Sequence, residues 1–111
     1  MSNHVIFAAP FLMDATARFI AGATHLSGVD VTLISQDPAE RLPVDIRQRL
    51  AGHWRVDDAL DPAQLVAAAR QLERRYGRPR RMIAALEQLQ VPLARAREEM
   101  GIPGLSVDAA L

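Results

Sequence analysis

The residues of this chain that can do chemistry are few and far apart. Three histidines, His4, His25 and His53, have no coordinating neighbours in sequence, so we expect structural roles rather than a metal site. All thirteen basic residues are arginines, and neither lysine nor cysteine occurs. These absences exclude a Schiff-base or P-loop lysine, a thiolate nucleophile, a thiolate metal site and a disulfide.

The most interesting carboxylate is Glu87, which follows a predicted buried strand and precedes a predicted helix. A helix N-terminus favours negative charge, so residue chemistry leaves open whether Glu87 meets a ligand or only the helix. A single carboxylate without a partner does not make a catalytic set. Asp57 and Asp58 follow the predicted third strand, as a receiver's phospho-acceptor would. The acidic pair and the lysine of receivers are missing, so we expect a solvated loop.

Arginines are concentrated between residues 70 and 81, and they allow two interpretations. Such a cluster can bind phosphate or RNA, or it can stabilise the carboxyl end of a helix and keep the next turn soluble. No aromatic residues are interleaved with these arginines, and the formal net charge of the chain is zero. We therefore expect no nucleic-acid partner.

Strand and helix patterns alternate along the chain. A continuous apolar run over residues 5–9 predicts a buried strand, and the sequence that follows predicts a helix capped by Asp14 and ending before Gly28. The apolar positions of this helix predict a buried stripe of Phe19, Ile20, Ala23 and Leu26. Further strands are predicted over 29–35, 53–56 and 81–86, with a possible short fifth strand over 105–107. Further helices are predicted after Pro38 and over 44–51, 62–76 and 88–100.

This alternation predicts one α/β domain over residues 1–111, with an open parallel sheet between two helical layers. The simplest Rossmann-like order of the strands is 3-2-1-4, which places the topological switch between strands one and four. Ligands bind such folds at the carboxyl ends of the strands at the switch. The segments 10–14 and 86–88 should therefore meet there.

The first of these segments does not fit a dinucleotide. Pro10-Phe11-Leu12-Met13 occupies the turn where glycines would let the backbone approach a pyrophosphate. No basic region with an apolar signal core begins the chain, and no apolar run approaches membrane-spanning length. We therefore expect a cytoplasmic protein without a membrane partner.

The segment 81–104 carries a pattern that indicates a family; its sequence is RMIAALEQLQVPLARAREEMGIPG. An apolar strand, Glu87, a helix of small and apolar residues, and Gly101-Ile102-Pro103-Gly104 follow one another. This pattern resembles the end of the N-terminal, pre-ATP-grasp domain of ATP-grasp enzymes. Ala9-Pro10-Phe11 and Ser35-Gln36-Asp37-Pro38 are similar to the carbamoyl-phosphate-synthase-like members, so the resemblance covers essentially the whole chain.

The resemblance implies an ATP-dependent ligase that joins a carboxylate to an amine or similar nucleophile through an acyl phosphate, with magnesium. In that family the N-terminal domain lines the substrate side of the cleft, whereas central and C-terminal domains hold ATP and metal. By this resemblance Pro10, Phe11 and Glu87 are substrate-proximal, and none is catalytic. The ATP-binding domains have no counterpart before Leu111, so we expect no cofactor and no turnover in this chain alone.

A second hypothesis comes from a different class. The chain is then a stand-alone, non-catalytic α/β binding or dimerisation module, with the apolar loop Phe11-Leu12-Met13 as its contact. A tight homodimer would favour this module.

Overall fold

A computed structural model describes residues 3–84 and 90–103. Four strands form one parallel sheet of order β3-β2-β1-β4, which confirms the predicted order. The strands are β1 (Asn3–Ala9), β2 (Val29–Ser35), β3 (Gly52–Arg55) and β4 (Pro79–Ile83). The helices are α1 (Asp14–Thr24), α2 (Val44–Arg49), α3 (Pro62–Tyr76) and α4 (Gln90–Met100), with a 3₁₀ turn at Ala39–Arg41.

Two apolar clusters cover the two faces of the sheet, which makes the fold a three-layer α/β architecture. Ile6 and Ala8 of β1 pack with α3 and α4, whereas Phe7 and Ala9 pack with α1 and α2. Successive residues of a strand point to opposite faces, and these four are at most 1% exposed. The apolar run of β1 is therefore explained by burial on both faces.

The expected α1 differs from the observed one at both ends. Asp14 is not the N-cap: Met13 holds that position without a side-chain hydrogen bond, and Asp14 is the first helical residue. Phe19 and Leu26 are 52% and 60% exposed rather than buried. Leu26 lies beyond the last helical residue, and α1 faces the sheet through Thr16, Ala17 and Ile20, which leaves Phe19 at the margin of the contact.

The prediction for α3 is confirmed at both ends. Asp61 caps the helix by accepting a hydrogen bond of 3.0 Å from the amide of Ala63, and Pro62 follows as the first helical residue. Gly77 ends the helix at a φ of 90°, which only glycine adopts readily.

The fourth strand begins two residues before its predicted start. Pro79 is the first residue of this strand, a position that tolerates proline because its missing N–H is not needed there.

Arg97 of α4 is 6% exposed and donates a hydrogen bond of 3.0 Å to the carbonyl of Met82 in β4. Burial lowers the pKa of Arg97. Three predictions lie outside the described residues. They are the end of the fourth strand at 85–86, the start of the last helix at 88–89 and the possible fifth strand at 105–107.

Candidate functional site at the carboxyl edge of the sheet

The loops that follow β1 and β2 are tied together by main-chain contacts. The carbonyl of Pro10 accepts hydrogen bonds from the amides of Gln36, at 2.9 Å, and Asp37, at 3.2 Å. The carboxylate of Asp37 in turn accepts a 3.0 Å hydrogen bond from the amide of Leu12. These three hydrogen bonds hold the loop after β1 in one position, as a binding surface requires.

The loop after β1 exposes some of its side chains and inserts others. Phe11 and Met13 are 50% and 68% exposed, whereas Leu12 is 6% exposed and packs into the core under α1 and α2. Pro10 is buried and contributes its carbonyl to the loop contacts. Of the residues predicted to be substrate-proximal, Phe11 thus faces solvent at this edge and Pro10 supports it, while Glu87 lies outside the described residues.

A histidine and a serine meet beneath the same edge. Oγ of Ser35 donates to the carbonyl of Asp37 at 2.7 Å and lies 2.6 Å from Nε2 of His53, which therefore acts as the donor. Burial lowers the pKa of His53, the charge of Glu40 opposes that shift, and Arg55 adds to it. Since Ser35 is fully buried and its proton is already donated, this pair is a structural link and not a nucleophile with its base.

The two aspartates after β3 belong to an exposed loop whose backbone amides donate to the side chains of Gln64 and Asp58. Oε1 of Gln64 accepts hydrogen bonds from the amides of Asp57, at 3.0 Å, and Asp58, at 2.8 Å. Asp58 also accepts a 2.9 Å hydrogen bond from the amide of Leu60. These contacts agree with the predicted solvated loop.

The arginine-rich segment lies at the opposite edge of the sheet. Arg78 donates to the carbonyls of Met100, at 3.0 Å, and Gly101, at 3.1 Å, and so satisfies the carboxyl end of α4. Its guanidinium is also 3.8 Å from Glu73. Because parallel strands begin at this edge, the arginines lie far from the carboxyl ends where a ligand is expected.

His4 has a structural role that joins three elements. Its Nδ1 is 2.7 Å from the carbonyl of Gly77, and its Nε2 is 2.8 Å from Oγ1 of Thr32. The ring is 2% exposed and lies against Tyr76, with 5.9 Å between the ring centroids. Within residues 3–84 and 90–103, no three His, Asp or Glu side chains are grouped as metal ligands.

Sequence reasoning did not identify Asp37 as the residue that joins the two loops. The signal available was an acidic residue in the Ser35-Gln36-Asp37-Pro38 turn, a position where carboxylates often accept main-chain hydrogen bonds. Its partner amide belongs to Leu12, 25 positions earlier, and that distance in sequence hides the contact.

Solved structures share this fold, and one of them matches nearly the whole chain. It is the crystal structure of an L-amino acid ligase from Bacillus licheniformis, with a TM-score of 0.68 and 18% sequence identity. The similarity covers 96% of this chain and 25% of the ligase chain, so the chain spans about a quarter of that enzyme's length. At this identity the similarity establishes the α/β fold.

Other comparisons add little. No protein-family model matches the sequence, and no curated protein sequence matches it significantly. Among the described residues, no helix has the length and apolar character needed to traverse a lipid bilayer.

Proposed function

We propose that this chain is the N-terminal, substrate-side domain of an ATP-grasp ligase that joins a carboxylate to an amine through an acyl phosphate. The observation that supports this most strongly is the fold shared over 96% of the chain with an L-amino acid ligase. The sequence pattern over 81–104 adds an independent resemblance to pre-ATP-grasp domains. The closer resemblance to carbamoyl-phosphate-synthase-like members has no support from that ligase, so the proposal is limited to the broader class.

Two features of the described residues support the expectation that this chain does not itself hold ATP or magnesium. The turn after β1 is Pro10-Phe11-Leu12-Met13, and the glycines with positive φ are Gly28, Gly77 and Gly101, all at other places. That turn therefore offers no glycine cradle for a phosphate, and no acidic cluster for a metal occurs in the described part of the chain. In this proposal ATP and magnesium are bound by central and C-terminal domains outside residues 1–111, and this chain supplies a surface for the substrate.

Calorimetric titration of the 111-residue chain with ATP and magnesium tests the proposal that other domains bind the nucleotide and the metal. We expect no binding in the micromolar range, and no ADP formation by this chain alone. Micromolar affinity for ATP would overturn the proposal, because the chain would then carry the nucleotide site itself.

The second candidate function is a non-catalytic binding or dimerisation module, and the exposure of Phe11 and Met13 favours it. Exposed apolar side chains on a rigid loop are a common feature of interfaces. Sedimentation of the wild type, Phe11→Asp and Val44→Asp separates the two functions. Val44 is 56% exposed on α2 and serves as the matched control. A tight dimer that only Phe11→Asp dissociates supports the module, whereas a monomer contradicts its dimerisation form.

A further inference from the structure

The segment 70–81 carries six arginines, all of them exposed, and a single carboxylate, that of Glu73. Helix ends account for three of these arginines. Arg74 and Arg75 lie in the last turn of α3, where the helix dipole favours positive charge. Arg78 donates to the carbonyls at the carboxyl end of α4 and pairs with Glu73. These three side chains therefore have structural roles.

Arg80 and Arg81 belong to the edge strand β4 and lie at no helix end. Neither guanidinium is within 4.0 Å of a carboxylate in residues 3–84 and 90–103. Nη1 of Arg80 donates to Oδ1 of Asn3 at 3.3 Å, and Nη1 of Arg81 donates to the carbonyl of Arg80 at 2.8 Å. A guanidinium has five N–H donors, so most of those on Arg80 and Arg81 are available to a ligand.

Arg80 and Arg81 share an open groove with Arg78. The groove has a volume of about 320 Å³ and is lined by these three arginines and by Pro79 and Pro103. No carboxylate is among these lining residues, so the described wall of the groove leaves its positive charge uncompensated. The two prolines restrict the backbone beside the arginines, which reduces the entropy lost on binding. The groove is therefore suited to anionic groups.

The surroundings of the groove favour the carboxylates of a protein over nucleic acid or lipid. Tyr76 is the only aromatic residue of the segment 70–81, and its ring packs against His4 and lies over Gly52, so it offers no stacking surface to a base. None of the large apolar side chains that are exposed in the described part of the chain belongs to this segment, so a membrane would find no apolar anchor there. Guanidinium groups, in contrast, match carboxylates with two parallel hydrogen bonds.

We infer that the groove lined by Arg78, Arg80 and Arg81 docks an acidic segment of a partner protein. Carboxylates of that segment pair with Arg80 and Arg81, while Arg78 keeps its contacts with α4 and adds positive charge. The groove lies at the opposite edge of the sheet from Phe11, so a docked partner leaves the candidate site open. This inference goes beyond the proposed function and does not depend on it.

Fluorescence anisotropy of a labelled polyglutamate decapeptide, titrated with the complete chain, tests the docking surface. The peptide should bind saturably at about 0.1 M salt and more weakly at about 0.5 M, because exposed charge pairs are screened by salt. A polyglutamine decapeptide has the same length without the charges. It should bind at least about tenfold more weakly, since several charge pairs are lost together.

Two double variants locate the binding site at about 0.1 M salt, where charges act over only about 10 Å. Arg80→Gln with Arg81→Gln should weaken the glutamate peptide about tenfold, the loss expected for two exposed charge pairs worth a few-fold each. Arg18→Gln with Arg95→Gln removes the same net charge at two exposed positions outside the groove and should leave the affinity nearly unchanged. Circular dichroism of each variant shows whether it is folded.

Four results would overturn the inference. The first is no binding of the glutamate peptide, or equal binding of the glutamine peptide. The second is an equal loss of affinity in both double variants, which would show that only the overall charge matters. The third is tighter binding of a thymidine decanucleotide or of phosphatidylserine vesicles, which would assign the groove to nucleic acid or to a membrane. In the fourth, the variant with Arg80→Gln and Arg81→Gln associates with itself but binds the peptide as before, so these arginines would only protect the β4 edge from strand pairing.

Discussion

Replacing Ile6 with alanine tests the position of β1 in the centre of the sheet. Ile6 is fully buried, pairs in register with Thr32 of β2 and Met82 of β4, and packs in the cluster beneath α3 and α4. The substitution removes three methyl or methylene groups, worth about 0.8 kcal/mol each or about 2.4 kcal/mol together. Incomplete collapse of the cavity adds up to about 2 kcal/mol, so the expected loss in free energy of unfolding is about 2–5 kcal/mol.

Urea denaturation followed by far-ultraviolet circular dichroism measures this loss. The midpoint should fall while the slope of free energy against urea stays unchanged, since the surface exposed on unfolding is nearly the same. Val44→Ala, at a position 56% exposed, is the matched control and should change stability by less than about 0.5 kcal/mol. A loss below about 1 kcal/mol for Ile6→Ala would refute the central position of the strand.

Three further predictions concern single contacts. Asp61→Ala should cost about 1 kcal/mol in the same denaturation assay, because it removes the cap on the Ala63 amide; an unchanged midpoint would contradict this. Gly52→Ala should cost about 1–3 kcal/mol, since an added Cβ would overlap the ring of Tyr76; a neutral result would show that the ring moves aside freely. The wild type should lose stability as pH falls from 6.5 through the lowered pKa of His53, because the unfolded chain binds that proton first. His53→Gln should lack this step, and identical pH profiles of the two proteins would disprove it.

The strand order and the layer assignment could be predicted because they depend on local patterns. A strand that is buried on both faces, such as β1, has a continuous apolar sequence. Short connections with right-handed crossovers leave few possible orders for four parallel strands. Asp61 and Gly77 mark the ends of α3 by their own chemistry, and the predicted range 62–76 was confirmed.

Other features depend on contacts that sequence spacing does not reveal. His4 meets Thr32 and Gly77, which are 28 and 73 positions away, so its burial as a polar link could not be predicted. The capping role expected of Asp14 was wrong, because Asp14 is already the first residue of the helix and Met13 holds the N-cap position. The loop before the helix is held instead by Asp37, which accepts a hydrogen bond from the amide of Leu12. The site residue Glu87 stays a prediction, since it lies outside the described residues.

Trapping with hydroxylamine tests the central claim most directly. An acyl phosphate formed from a carboxylate and ATP reacts with hydroxylamine to give a hydroxamate, whichever amine the enzyme normally uses. The protein encoded by the complete natural reading frame should form hydroxamate from a mixture of amino acids, with ATP and magnesium required, and the 111-residue chain alone should form none. Hydroxamate formation by the 111-residue chain, or its absence with the complete protein, would contradict the account.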